Sequence, residues 1–493
     1  MSANHIPLYR AAEVRELDRL AIEARGIAGY TLMSRAGAAA FDVLRERWPS
    51  ARRVAVFCGV GNNGGDGFVL ARLAQAAGLD VQIVQVGDGE RLRGDARTAA
   101  EAARASGVDP VLLTEAAIDE ADVLVDALFG TGLERPVEGA WREAVEAINA
   151  QGAPVLAIDI PSGLHADTGS VLGVAVRAER TITFIGRKRG LYTGEGPEFA
   201  GAIDFADLAV PADIYAEVAN DTWLLAPGPV AACLPRRSRS QHKGANGHVL
   251  VIGGDHGMGG AARLAAEAAA RSGAGLVSVA TQPEHVTLIS GSRPELMSRG
   301  VTSALDLLAL LERATVVAIG PGLGQSAWSR AMYATALASS LPMVVDADAL
   351  NLLAKQRRPR GNWILTPHPG EAARLLRRTT EAVQKDRFAA AAALASNYAA
   401  VAVLKGAGTV VCHGNAFAVC PTGNPGMASG GMGDVLTGIL AGLLAQGLTP
   451  VDAARAAVFV HGAAADAAAA EGERGLLALD VIDALRRPLN PCR

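Results

Sequence analysis

Short apolar runs of four to six residues recur along the chain, each opening into a glycine-rich polar turn and then into a stretch of helical spacing. Residues 10–48 have a helical pattern, with Val14, Leu17, Ala21 and Ile22 on one face, and Pro49 ends the run. Residues 53–58 (RVAVFC) then read as a buried strand that delivers the chain into the loop GVGNNGGDG at 59–67, before a helix at about 68–77. The alternation continues with a strand at 81–86, a helix at 93–105, a strand at 122–126, a helix at 141–150 and a strand at 155–159. Alternating strands and helices predict a parallel sheet with helices on both faces. The strand ends at Cys58, Asp126 and Asp159 then open on one edge, where ligands bind in such folds.

The pattern restarts after a mixed, proline-interrupted stretch at 211–235, so a boundary near residue 215 separates domains at 1–215 and 216–493. Strands at 247–252, 275–280, 315–319, 342–346, 363–366 and 401–404 follow, with an alanine-rich helix at 261–271. The chain should therefore hold two α/β domains. With 493 residues, 50% hydrophobic and 19% charged, it has ample material for two cores. The formal net charge of -4 gives no support to nucleic-acid binding. No apolar stretch reaches the ~20 residues of a membrane span, and no signal peptide is visible at the N-terminus. The five cysteines, Cys58, Cys233, Cys412, Cys420 and Cys492, are scattered without a CxxC pair, which points to reduced thiols and a cytoplasmic protein.

Candidate chemistry sits at the turns. Asn62 to Asp66, Asp126 to Pro136 and Asp159 to Ser162 converge if the strands are parallel neighbours. Oxygens of Asn63, Asp126 and Ser162 suit a hard, weakly charged cation; equally, Asp126 serves as a turn cap. In the second half, GGMGD (430–434) leads into the apolar stretch VLTGIL. A glycine turn feeding a helix leaves unpaired N–H groups that suit a phosphate. The helix dipole should hold Asp434 ionised beside them, ready to accept a hydroxyl proton during phosphoryl transfer. The plainer reading of the turn is an aspartate N-cap. Lys405-Gly-Ala-Gly-Thr409 supplies a cation, approachable backbone and a hydroxyl, and His368 lies between two prolines at a strand end. The basic run at 236–244 reads either as a solvated loop or as a phosphate clamp, and His461 as structural.

In the first half, GVGNNGGDG, VDALFGTGLERP and AIDIPSG together resemble the NAD(P)H-hydrate epimerase domain of the YjeF family, over residues 1 to 212. In the second half, VIGGDHGMGGAARLAAEAAARSGAGLVSVA, GPGLG, TPHPGE, LKGAGT and GGMGDVLTGIL resemble the ADP/ATP-dependent NAD(P)H-hydrate dehydratase domain, over about 225 to 493. The resemblance implies a Rossmann-like three-layer αβα sandwich followed by a ribokinase-like αβα domain. It implies substrate contacts from Asn62, Asn63, Gly64, Gly65, Asp66, Gly130, Thr131, Gly132, Leu133, Glu134, Arg135, Pro136 and Asp159, with potassium on Asn63, Asp126 and Ser162. For the second domain it implies that Ala262, Gly322, Gly324, His368 and Asp434 meet the hydrated nucleotide. Lys405, Gly406, Ala407, Gly408, Thr409 and Gly433 would hold the adenine nucleotide, ADP or ATP with magnesium. Asp159 and Asp434 are the implied catalytic groups, NADHX and NADPHX the implied substrates, and a homo-oligomer the expected assembly. The rival expectation is a ribokinase-like small-molecule kinase with an N-terminal nucleotide-binding module, and a non-enzymatic alternative makes the first domain a nucleotide-sensing or protein-binding module.

Overall fold

A computed structural model describes residues 5–116 and 118–491; Cys492 lies outside the described residues. The chain divides between Thr222 and Trp223 into two compact units, the few residues up to Ile6 grouping with the second. The segments β1 (Ile6–Leu8) and β9 (Thr222–Leu224) stand at that division.

The first unit holds β2 (Arg53–Cys58), β3 (Asp80–Gln85), β4 (Pro110–Val111), β5 (Val123–Ala127), β6 (Val155–Ile158), β7 (Arg180–Phe184) and β8 (Ala202–Ala206). Their spatial order is β4-β3-β2-β5-β6-β7-β8, and every pairing is parallel. Strand alternation divides the core. Val54, Val56 and Cys58 of β2 pack with one helical layer, whereas Ala55 and Phe57 pack with the other. A sheet buried on both faces needs continuous apolar strands, which is why β2 carries no polar residue after Arg53.

Three details differ from the sequence reading. The 10–48 run is not one helix but Ala11–Arg19, a π turn at Leu20–Ala24, and Gly29–Arg47. The extra residue in a π turn rotates the apolar face. Ala21 stays buried, and Ile22, expected beside it, is 39% exposed. Second, the 59–67 loop is mostly helix, for Asn62–Ala76 begins at the first asparagine. A Cβ on Gly64 would run into the Gly59 carbonyl, and one on Gly67 would come within 2.6 Å of Ala127 Cβ. These glycines serve close helix–strand packing. Third, β7 and β8 were not anticipated; the alternation in Arg180–Phe184 is masked by its threonines, both fully buried.

The second unit contributes β10 (His248–Ile252), β11 (Leu276–Thr281), β12 (Met297–Gly300), β13 (Val316–Ile319), β14 (Met343–Val345), β15 (Trp363–Leu365), β16 (Val401–Leu404), β17 (Val410–His413) and β18 (Ala416–Val419). They run in the order β18-β17-β16-β15-β14-β13-β10-β11-β12. The sheet is parallel from β12 through β16 and antiparallel from β16 to β18. The hairpin β17–β18 turns at Gly414, whose φ of +60° suits a tight two-residue connection.

The helix Met432–Ala445 lies at the centre of this unit, buried from Val435 through Leu444. Gly438 and Gly442 let it approach Gly259–Arg271 backbone to backbone, since a Cβ on Gly442 would sit 2.8 Å from the Ala269 carbonyl oxygen. Val249, Val251, Val316 and Val344 of the sheet close the same core. That packing fixes the N-terminal end of the helix, and Asp434 with it. Among the described residues no helix is long and apolar enough to cross a membrane.

Candidate functional sites

In the first unit, the turns after β2, β5 and β6 do meet. Ser162 donates from its backbone N–H to Asp126 Oδ2 (2.7 Å) and from its hydroxyl to Asp126 Oδ1 (2.6 Å). Leu128 N–H reaches Asp126 Oδ1 at 3.2 Å, and Phe129 N–H donates to Ser162 Oγ at 2.9 Å. Asn63 donates its amide to the Phe129 carbonyl at 3.0 Å, which leaves Asn63 Oδ1 buried without a hydrogen-bond partner. Burial pushes Asp126 up to about 6 even though three donors pull the other way. A buried carboxylate and an orphaned amide oxygen on converging loops form an oxygen-lined nest suited to a hard monovalent cation.

Asp159 stands beside that nest. A Cβ on Gly130 would lie 3.5 Å from both Asn63 Cβ and Asp159 Oδ2. Asp159 itself adopts φ = 68°, the left-handed region that non-glycine residues seldom enter. Its carboxylate accepts a hydrogen bond from Lys188 Nζ, which is 1% exposed and also bonds the Phe184 carbonyl at 3.0 Å. Asp66 is raised well above the usual carboxylate range, first by burial and then by the negative charges of Asp159 and Asp18. Burial also lifts Asp18 to about 6. Neither Lys188 nor Asp18 was picked out from sequence, because neither belongs to a glycine turn. Thr131 to Pro136 form a mostly exposed rim in which only Leu133 is buried, with Glu134 Oε2 3.2 Å from His165 Nε2. Asn62 is exposed at the start of its helix, whereas Gly64 and Gly65 are buried.

The second unit gathers its groups at the strand ends of β14, β15 and β16 and at the head of Met432–Ala445. Lys405 Nζ donates to Asp346 Oδ1 at 2.8 Å and lies 3.9 Å from Glu371 Oε2. Thr437 Oγ1 donates to Asp346 Oδ2 at 2.8 Å. Gly433 sits directly over this pair, since a Cβ there would be 3.2 Å from Lys405 Nζ. Burial alone would lower Lys405, but Asp346, Glu371 and Asp434 outweigh it and raise it. His368 caps the helix Pro369–Leu376, its Nδ1 accepting from Gly370 N–H at 3.0 Å, with its side chain half-exposed. Burial and then Lys405 pull its imidazole below the usual value.

Asp434 overturns one expectation. The helix dipole was to hold it ionised, yet it is pushed up to about 7, by burial first and then by Asp346, with Lys405 only partly offsetting. A helix N-terminus contributes about 0.3–1 kcal/mol, less than one pKa unit. Desolvation among carboxylates is several times larger and wins. Nor is Asp434 the N-cap, a place taken by Gly431 with φ = 92°. The result is a carboxyl poised near neutrality at the head of a helix and facing an ammonium.

Gly322 (φ +58°) and Gly324 (φ +70°) shape the neighbouring turn, with Gly324 N–H donating to Asp348 Oδ2 at 2.8 Å. Asp348 in turn bears electrostatically on Asp434. Ala262 is fully buried and faces Gly254, so it offers no side chain to a ligand. Gly406, Ala407 and Gly408 form a turn closed by Thr409 Oγ1 on the Gly406 carbonyl at 3.0 Å. Beneath it lies Arg387, buried and unremarked in the sequence, which donates to the carbonyls of Leu404 (3.1 Å) and Lys405 (3.2 Å). His461 is buried, as a structural residue would be, and burial lowers it to about 4. In the basic run, Arg237 donates to the Gly273 carbonyl and to Gln446 Oε1, on the protein's own surface.

Comparisons with known proteins agree with this division. Residues 29–190 match the family model of the YjeF-related protein N-terminus, and residues 249–487 match that of NAD(P)H-hydrate dehydratase. The bifunctional NAD(P)H-hydrate repair enzyme Nnr of Coxiella burnetii is 52% identical, the match covering 98% of this chain and 99% of that one. The Escherichia coli enzyme of the same name is 44% identical over 98% of this chain and 94% of its own. Among solved structures, the Bacillus subtilis ADP/ATP-dependent NAD(P)H-hydrate dehydratase co-crystallised with ATP/Mg2+ is 36% identical, with a TM-score of 0.51. It covers 54% of this chain and 96% of its own.

Proposed function

The chain belongs to the bifunctional NAD(P)H-hydrate repair enzymes, and on that premise we propose that it restores NADH and NADPH from their hydrates at two separate sites. The unit ending at Thr222 interconverts the R and S hydrates, and the unit from Trp223 dehydrates the S form using ADP, with ATP an alternative donor.

At the first site, Asp159 is the acid/base group for the C6 hydroxyl, next to a ring nitrogen whose lone pair can expel that hydroxyl or open the ring. Expulsion needs a proton delivered to the departing oxygen and one removed from the incoming water, and ring opening needs the hydroxyl proton removed and one given to the ring nitrogen. The segments Asn62 to Asp66 and Gly130 to Pro136 hold the nucleotide in this reading. Potassium fits Asn63, Asp126 and Ser162: the Asn63 Oδ1 is unpartnered, and a carboxylate with about four lone-pair positions still has room after three hydrogen bonds. When bound, the ion would supply positive potential and tie the three loops together.

At the second site, Asp434 takes the C6 hydroxyl proton as that oxygen bonds to the terminal phosphorus of ADP and AMP departs. The ring nitrogen then expels phosphate from C6, and loss of a C5 proton restores the dihydronicotinamide. Lys405 offsets charge on the transferring group, and the Lys405–Thr409 turn with Gly433 cradles the nucleotide. His368, Gly322 and Gly324 line the hydrate side, with Ala262 contributing backbone shape alone. Asp346 and Glu371 are already committed to Lys405, Thr437 and His368. Magnesium, which needs few protein ligands, would therefore arrive on the phosphates and neutralise their charge.

The observation that carries this reading is the head of the buried helix Met432–Ala445, where Gly433 closes over Lys405 Nζ and the next residue, Asp434, is pushed up to about 7 by burial and Asp346. Asp434→Asn should abolish ADP-dependent dehydration and leave R/S interconversion intact; dehydration at a near-normal rate would refute the role. We further propose a cytoplasmic homo-oligomer. Cys58, Cys233 and Cys420 are free thiols, in keeping with a reducing compartment, and light scattering tests the assembly.

A further inference from the structure

Lys188 sets its ammonium among three carboxylates at the first site, Asp159, Asp66 and Asp18. Its side chain is 1% exposed, bonded to Asp159 Oδ1 and to the Phe184 carbonyl. Its backbone is fixed independently. Tyr9 N–H donates to the Arg187 carbonyl at 2.8 Å, and Arg189 N–H donates to the Tyr9 carbonyl at 3.0 Å, bracketing Lys188 from both sides. The same N-terminal segment continues into Ala11–Arg19, which brings Asp18 to the cluster. Asp66 arrives from Asn62–Ala76 and is faced by Asp159, Asp18, Lys188 and the Cys58 thiol. Four elements thus converge on a cluster of three acids and one cation. A buried ammonium without a partner would be costly, and so would three neighbouring carboxylates all ionised.

We propose that Lys188 is a positioning residue of the epimerase, which through its hydrogen bond to Asp159 Oδ1 holds that carboxylate in place for proton transfer at the hydrated nicotinamide ring. Held in this way, Asp159 can take a proton from the C6 oxygen in one direction and return it in the other, so its own proton count is unchanged after a cycle. Without the cation the buried cluster would hold three carboxyl groups and no counter-charge, and Asp159 would lose the bond that holds it. The left-handed φ of Asp159 adds to the argument, since a strained strand-end residue needs an external tether and Lys188 provides it.

This inference rests on the epimerase reading of Asp159, and the test separates the two. Interconversion of purified R- and S-NADHX is followed chromatographically with the full-length chain, wild type and variants, from pH 5 to 9. Dehydration by the same chains serves as the internal measure of folded protein. Lys188→Met is expected to lower epimerase kcat about a hundredfold, the scale of one acid/base group, with KM changed less than threefold. It should also move the acid limb of the profile to higher pH, because loss of the cation makes Asp159 easier to protonate. Lys188→Arg should recover the rate to within tenfold and return the limb to its wild-type position. If Lys188→Met lowers the yield of folded chain, Lys188→Gln is read in the same way. A Lys188→Met enzyme within threefold of wild type, or one that loses rate with an unmoved acid limb, overturns the proposal. An Asp159→Asn enzyme that retains full interconversion instead overturns the reading on which it stands.

Discussion

Replacing Asp434 with asparagine separates what this carboxyl does for chemistry from what it does to the fold. In the native chain it titrates near 7, against 3.8 for an ordinary aspartate. Between those values the native state holds a proton that the unfolded chain has released. The unfolded chain is therefore favoured progressively as pH rises from about 4 to 7, and the full destabilisation is present above 7. A shift of that size corresponds to about 4 kcal/mol. Asparagine cannot ionise, and Lys405 keeps Asp346 as its hydrogen-bonded partner. The variant should thus match wild type near pH 4 and exceed it increasingly up to pH 7. Above that the difference should be constant, at up to about 4 kcal/mol, or about 10 °C in melting temperature for a unit of this size. Thermal melts of wild type and Asp434→Asn at half-unit intervals from pH 4 to 8.5 measure the difference. ADP-dependent dehydration by the same samples should be absent. A stability difference that is flat with pH, or largest at low pH, would show that Asp434 is not buried against its neighbours in this way. The trade of stability for a base poised near neutrality would then be wrong.

The same titration predicts that dehydratase kcat/KM falls as pH drops below about 7, as Asp434 gains the proton it must be free to accept; a rate level down to pH 5 counts against it. Arg387→Met should leave the Leu404 and Lys405 carbonyls without their buried donor, destabilising the unit by about 1–3 kcal/mol and raising the KM for ADP more than that for the hydrate. Equal KM values in variant and wild type would show that the turn holds without it. Gly64→Ala should abolish epimerisation or soluble expression, because the new methyl collides with the Gly59 carbonyl, whereas Gly132→Ala meets nothing within 4 Å and should fold normally. Asn63→Ala removes the unpartnered Oδ1 and should abolish any stabilisation of the chain by potassium over choline in thermal melts.

The sequence pattern carried most of β2, β5 and β6 and of the parallel strands from β10 to β16, because strands buried on both faces read as uninterrupted apolar runs. It failed where polar residues are buried within strands, as in Arg180–Phe184, and where a two-residue turn closed a hairpin at Gly414. The candidate sites were legible at their glycine turns, since Asn63, Asp126, Asp159, Lys405 and Asp434 all stand at strand ends or helix heads. Lys188, Asp18 and Arg387 were not, for they reach the sites from elements whose local pattern is ordinary. Asp346 follows the strand Met343–Val345, and its pairing with Lys405 across 59 residues depends on strand order. The ionisation of Asp434 was misjudged for a related reason. A helix dipole is a local property that sequence discloses, whereas burial in the core and the charges of Asp346 and Asp348 are tertiary ones.

The central claim is that both halves act in one chain on one damaged nucleotide. Mixed R- and S-NADHX is incubated with the full-length protein and ADP, and NADH is followed by its absorbance alongside release of inorganic phosphate. Complete recovery of NADH, with one phosphate per NADH, is the expected result. Asp159→Asn should stop at the S fraction plus spontaneous turnover, and Asp434→Asn should recover none beyond background. Wild-type recovery that halts at the S fraction, or a stable phosphorylated product without NADH, would contradict the account.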